Sequence, residues 1–180
     1  MDYPGQRIQV DVKFVPSACL KNPKVIGKQF FQYTAIDEYS RWRFVEAFEE
    51  HNTYSSAMFI EHLVKAFPLP IQCIQTDNGA EFTNRFTTHR DKPTLFQVHL
   101  KQHGIRHKVI RPFTPRHNGK VERNHRKDNE RFYATHTFYS FEDFAKQLKV
   151  YNRRDYNNFP MPPLGWKSPN QVLKDYLASV

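Results

Sequence analysis

The chain has 180 residues, enough for one domain with a substantial hydrophobic core. A hydrophobic fraction of 39% and an aromatic fraction of 15% exclude a disordered chain. Lys and Arg number 27 against 18 Asp and Glu, a formal charge of +9, which favours a polyanionic partner, most simply nucleic acid, without saying which kind.

Two cysteines, Cys19 and Cys73, are too few and too far apart for a zinc ribbon or a disulfide framework, and read as structural. The opening Met-Asp-Tyr-Pro-Gly is no signal peptide, and no stretch approaches the ~18 apolar residues of a membrane span. The expectation is a soluble protein of a reducing compartment, without repeats.

Residues 7–14 alternate: Ile8, Val10, Val12 and Phe14 share one face, and Gln9, Asp11 and Lys13 the other. That period predicts a strand. Asp11 in its middle is out of keeping with strand propensity, so its carboxylate is either solvated or held for a purpose. Residues 15–27, with Pro16, Pro23 and Gly27, read as a loop. Residues 28–37 and 41–48 are aromatic and β-branched and predict a hairpin; Asp37 reads as a turn residue pairing with Arg41.

Thr53 is positioned to cap a helix whose stripe is Ala57, Ile60, Val64 and Phe67, and Pro68 and Pro70 stop it. Residues 71–76 predict a buried strand ending at Asp77. Asn78-Gly79 then signals a turn, since both residues tolerate positive φ. Asp77 thus stands at the carboxyl end of a strand, where open α/β sheets place ligand chemistry; taken alone, the turn-cap reading is the favoured one. Residues 86–95 look like a polar surface insertion, residues 95–102 a helix that Gly104 ends, and residues 105–110 a short strand. His103 and His107 are four apart, but the helix ends between them, which argues against a shared zinc site.

A Pro-bounded loop at residues 111–115 leads into a helix over residues 117–135. On it Asn118, Glu122, Arg126 and Asn129 share a face, with His125 beside them. A solvated helix with a Glu122–Arg126 pair is the plain alternative. Another amphipathic helix spans residues 138–151, with Phe141, Phe144, Leu148 and Tyr151 as its stripe. The aromatic, proline-rich tail should lie against the globule, with Ser168-Pro169 opening a final helix.

Val10-Asp11, Thr76-Asp77-Asn78-Gly79-Ala80-Glu81-Phe82, Gly104-Ile105 and Pro115-x-x-Asn118-Gly119-x-x-Glu122-Arg123 together resemble the catalytic core of DDE transposases and retroviral-type integrases. The tail, Leu164-Gly-Trp-Lys-Ser-Pro169, is similar to the end of bacterial insertion-sequence transposase cores. The resemblance spans nearly the whole chain. It implies an α/β architecture of the ribonuclease H-like kind: a mixed five-stranded sheet, an antiparallel meander plus parallel strands, flanked by helices. It implies one catalytic-core domain over residues 1–180, with residues 152–180 an extension packed on it.

The same resemblance implies metal-dependent cleavage of phosphodiesters and DNA strand transfer. Asp11, Asp77 and Glu122 would be both the catalytic and the metal-binding residues, holding two Mg²⁺ or Mn²⁺ ions. Arg116, Lys120, Arg123 and Arg126 would contact DNA phosphates, with Asn78 and Asn118 beside the DNA. Partners would be transposon ends and target DNA, with a homodimer or larger assembly on them, in the bacterial cytoplasm at the nucleoid and away from membranes. The interval from Asp77 to Glu122 is longer than in many family members, and residues 86–95 account for the excess. The chain opens close to its first catalytic strand, so an upstream end-reading domain is expected elsewhere. A nuclease that only hydrolyses and a non-catalytic DNA-binding module stay open as alternatives; three intact acids facing a polyanion count against the second.

Overall fold

The alternating residues near the N-terminus form β1 (Ile8–Phe14), the middle strand of a five-stranded sheet. The computed structural model describes residues 1–111 and 119–180. β2 (Phe31–Asp37) and β3 (Arg43–Phe48) extend the sheet on one side of β1 as an antiparallel meander. β4 (Cys73–Thr76) and β5 (Arg106–Val109) add on the other side in parallel, giving the order β3-β2-β1-β4-β5. Helices α1 (Thr53–Ala66), α2 (Leu95–Gln102), α3 (Gly119–Asp128), α4 (Phe141–Tyr151) and α5 (Pro169–Leu177) flank it.

Each sheet face has its own core. Ile8, Val10 and Tyr33 pack with Phe59, Ile60 and Leu63 of α1 and Phe96 and Leu100 of α2. Leu173 of α5 reaches the same cluster. The opposite face meets α3 and α4: Phe30 and Val45 pack with Phe132, Phe138, Phe144 and Leu148. The loop after β1 belongs to this second core, because Val15, Cys19, Leu20 and Val25 are all buried in it. Cys19 and Cys73 are buried free thiols.

Local chemistry departs from expectation in two places. The cap of α1 is Asn52, not Thr53: its side chain accepts from Ser55 N at 2.9 Å. The Thr53 hydroxyl instead accepts from Phe96 N at 3.1 Å, tying α1 to the start of α2. Asp37 does close the turn after β2, but its carboxylate accepts from Ser40 N, Ser40 Oγ and Gly5 N rather than from the Arg41 side chain. A backbone donor within reach of a buried carboxylate satisfies it without desolvating a second charge.

The helix predicted over residues 117–135 is α3 followed by a π-helical turn, Asn129–Tyr133. The wider turn swings Phe132 and Tyr133 into the core while Glu122 and Arg126 stay exposed. The end of α3 is anchored by charge. Arg43 Nη1 of β3 lies 2.7 Å from Asp128 Oδ1, and Gln32 Nε2 of β2 donates to Asp128 Oδ2 at 2.8 Å. The Arg43 guanidinium also lies 3.8 Å from the centre of the Tyr156 ring. Asn157 and Asn152 both donate side-chain hydrogen bonds to Arg43 O, so the segment after α4 is held against β3.

Candidate active site

The parallel pairing of β1 with β4 aligns Ile8 with Ile74 and Gln9 with Gln75. Carried forward two residues, that register sets Asp11 beside Asp77. Both acids therefore leave the same sheet face, the one α3 covers, where Val121 N donates to Gln9 Oε1 at 3.3 Å. Glu122 is the next residue of α3, in its first turn and exposed. The three acids picked out in the sequence are thus brought to one region from a middle strand, a strand end and a helix start.

Their charges act on one another. Burial pushes the Asp11 carboxyl up to about 7, and repulsion from Asp77, Glu122 and Glu81 adds to it, against a lowering hydrogen bond from the Val12 backbone. Asp77 Oδ1 accepts from Gly79 N at 2.9 Å, so Asp77 is also a turn residue. The Asn78 amide donates to Ile110 O at 3.0 Å, pinning the turn to the end of β5.

The turn itself works differently from its sequence signal. Neither Asn78 nor Gly79 has positive φ. What bears on residue 79 is the Glu81 carboxylate, which fills the space a Cβ there would take and would have to swing aside for any larger residue. Glu81 is a fourth acid at the site, 8% exposed, and His51 Nε2 lies 2.8 Å from its Oε1. The His51 ring in turn stacks on Phe31, with centroids 5.2 Å apart. Glu81 is visible in the sequence only as part of the Asp77 motif, and nothing local marks His51 as its neighbour.

His125 approaches from α3, with Nδ1 3.5 Å from Asp11 Oδ2. Burial pushes this imidazole down to about 4, opposed by Asp128 and assisted by Lys13 and Arg43. It is neutral at neutral pH, so the contact with Asp11 is polar rather than an ion pair.

The remaining predicted site residues are dispersed. Arg116 and Asn118 lie outside the described residues. Lys120 Nζ is 2.9 Å from Glu38 Oε2. Arg123 and Arg126 are exposed on α3, and among the described residues no ion pair joins Glu122 to Arg126. His103 and His107 take separate partners, Glu61 at 2.8 Å and Thr76 Oγ1 at 2.9 Å.

Among the described residues, no three His, Cys, Asp or Glu side chains converge into a ready-made metal cage. The donor set still fits a hard divalent cation: carboxylate oxygens close enough to lift the Asp11 carboxyl, with no described lysine or arginine paired to Asp11, Asp77 or Glu122. Among the described residues, no helix is long and apolar enough to cross a membrane.

The integrase core domain family matches residues 2–115, and a second integrase core domain description matches residues 103–169. A putative integrase of Spiroplasma virus SpV1-C74 is 29% identical over 126 residues, covering 66% of this chain and 33% of that protein. A retrovirus-related Pol polyprotein from transposon RE2 of Arabidopsis thaliana is 28% identical over 144 residues, covering 77% of this chain. The chain spans only 9% of that polyprotein and a third of the viral protein.

In structure it resembles the catalytic core domain of BIV integrase, with TM-score 0.59, 20% identity and coverage of 97% and 95% of the two chains. The HTLV-2 integrase catalytic core domain in complex with magnesium, in a trimeric form, gives TM-score 0.63 at 17% identity, covering 94% and 96%. A chain of a simian T-cell lymphotropic virus intasome gives TM-score 0.63 at 16% identity, covering 94% of this chain and 54% of that one. The mixed sheet with its flanking helices is the ribonuclease H-like fold of these cores. From its sequence match over most of its length, the chain belongs to the integrase core domain family.

Proposed function

We propose that the chain is the catalytic core of a DNA transposase or integrase, a polynucleotidyl transferase that cleaves DNA and joins a 3′-hydroxyl to a new phosphodiester. The observation that carries this reading is the register of β1 and β4, which sets Asp11 beside Asp77 under the helix that bears Glu122.

Asp11, Asp77 and Glu122 would hold Mg²⁺ or Mn²⁺. When bound, two such ions supply Lewis-acid stabilisation of the attacking and leaving oxygens. The protein positions the rest. The Gly79 amide fixes the Asp77 carboxylate, and the Val121–Gln9 hydrogen bond fixes the start of α3 and with it Glu122. Arg123 and Arg126, with Arg116, Asn118, Asn78 and Lys120, would meet the DNA backbone. Lys120 and Asn78 already have protein partners, so Arg123 and Arg126 are the more available. Such a core would act as a dimer or larger assembly on transposon ends and target DNA, at the nucleoid of the bacterial cytoplasm.

The test is a branched DNA resembling a strand-transfer product, incubated with Mn²⁺. A rejoined strand that disappears with Glu122→Gln and with Asp77→Asn is the expected result. Nicking without rejoining would make the protein a hydrolytic nuclease. DNA binding with neither reaction, unchanged by either substitution, would make it a binding module.

A further inference from the structure

A groove of about 690 Å³ lies along the flank of α3 that faces away from Glu122. Its polar wall carries Arg7, Arg41, Lys108, Lys120, Arg123 and Lys127, and its one acid is Glu38. Glu38 is already engaged by two of these cations: Arg7 Nε at 2.6 Å and Lys120 Nζ at 2.9 Å. Among the described residues, Arg41, Lys108, Arg123 and Lys127 have no ion-pair partner. Burial pushes the Lys127 ammonium down, and Arg131, Arg123 of the groove and Arg43 push it further, against Glu130.

Arg41 is the sharpest feature. Its backbone is left-handed, with φ of 63°, a conformation unfavourable for any residue with a side chain. Its Nη1 is buried and has no hydrogen-bond partner among the described residues. A guanidinium nitrogen withdrawn from water and left unpaired is unfavourable unless something negative completes it. The groove supplies the room and three further unpaired cations. Guanidinium and ammonium groups converging on one space suit a tetrahedral oxyanion, which accepts several charge-assisted hydrogen bonds at once.

We propose that this groove is a phosphate-binding site with Arg41 as its anchor, separate from the acid cluster on the other flank of α3. Gln9 stands two residues before Asp11 on β1, and Gln75 two residues before Asp77, which follows β4; two strand residues span about 7 Å. A nucleic-acid strand lying across the start of α3 can therefore place one backbone phosphate in the groove and another at the acids. Only this choice of a DNA phosphodiester as the source rests on the function proposed above; free phosphate shares the chemistry.

The test uses the whole chain with Arg41→Gln and, because Arg41 has a left-handed backbone, the exposed Lys108→Gln as a second variant. Two probes are used: a fluorescent DNA oligonucleotide titrated at several salt concentrations, and inorganic phosphate followed by thermal melting. The expected result in the absence of ligand is that Lys108→Gln keeps the wild-type melting temperature and Arg41→Gln melts at or above it, because an unpaired buried nitrogen is removed. Each should bind DNA roughly five- to tenfold more weakly at 0.1 M salt, with a log–log salt slope shallower by about one. Loss of phosphate-induced stabilisation with unchanged DNA binding supports the site and assigns it to free phosphate. Wild-type affinity, wild-type salt slope and wild-type phosphate response in both variants overturn the proposal. That outcome would leave the strand-joining test untouched, whereas absence of DNA binding by the wild type would count against the functional reading itself.

Discussion

Arg43 of β3 and Asp128 of α3 form an ion pair 2.7 Å long in which neither side chain is exposed. The pair fastens the far end of the helix that carries Glu122 to the sheet that carries Asp11. Removing one partner strands a buried charge. Asp128→Ala should destabilise the protein by about 3–5 kcal/mol, a fall of roughly ten degrees in melting temperature. Replacing both residues together, Arg43→Met with Asp128→Leu, should recover most of the loss. Thermal unfolding of Arg43→Met, Asp128→Leu and the double variant measures the coupling; a double variant as unstable as the worse single would show that the pair is not what matters.

Gly79→Ala should move Glu81. A Cβ there collides with the Glu81 carboxylate, which His51 holds from its other side. Because the displaced atoms are the end of a flexible side chain, the expected loss is small, about 1 kcal/mol or less, and comes from the disturbed His51 contact. Weaker Mn²⁺ binding should accompany it, because Asp77 is fixed by the amide of the same glycine. Calorimetric titration with Mn²⁺ beside a melting curve separates the two effects. An alanine variant that melts and binds like the wild type would mean the turn yields freely.

The Asp11 carboxyl is held up to about 7 in the folded protein, above the ordinary value of 3.8. The folded state therefore retains a proton that the unfolded chain has released, and stability falls as pH rises from about 4 to about 7. Asp11→Asn removes the repelling charge. It should raise the melting temperature of the metal-free protein at pH 8 by a few degrees, with little effect near pH 4. Equal effects at both values would exclude charge repulsion as the cause.

Glu38 is shifted the other way. Burial pushes its carboxyl up, but Arg7, Lys120 and Gln9 outweigh that and hold it at about 2, against an ordinary 4.5. Its contribution to stability is present in full above pH 4.5 and is lost as pH falls towards 2. Glu38→Gln should lower the melting temperature at pH 7, and the difference should shrink to nothing near pH 2. Melting curves across that window decide the matter.

What the sequence displayed was whatever depends on neighbours along the chain. The alternation around Asp11, the helical stripe of α1 and the Ser168-Pro169 start of α5 were legible because period and capping are local properties. Thr53 reads as the cap of α1, whereas Asn52 caps it and the Thr53 hydroxyl accepts from Phe96 N, 43 positions away. Gly79 reads as a turn glycine for its φ, whereas its φ is not positive and what lies over it is the Glu81 carboxylate. Asp37 looked destined for Arg41, yet Gly5, distant in sequence, supplies one of its donors. The pair of Arg43 and Asp128, 85 positions apart, left no trace in the sequence at all. At the candidate site, motif spacing singles out three acids, whereas the contacts of His51, Glu81 and His125 are ones that spacing does not encode.

The central position of β1 has a kinetic corollary. Its antiparallel neighbour β2 follows after one loop, while its parallel neighbour β4 arrives only after a hairpin and a helix. Pairings between nearby segments close small loops and form early; distant parallel pairings wait. The acids on β1 and at the end of β4 therefore meet late, after the meander has formed. Repulsion between them then opposes the last closure rather than the first. In pulse-labelled refolding, amides of β2 and β3 should gain protection before those of β4 and β5, and Mn²⁺ should hasten only the second phase.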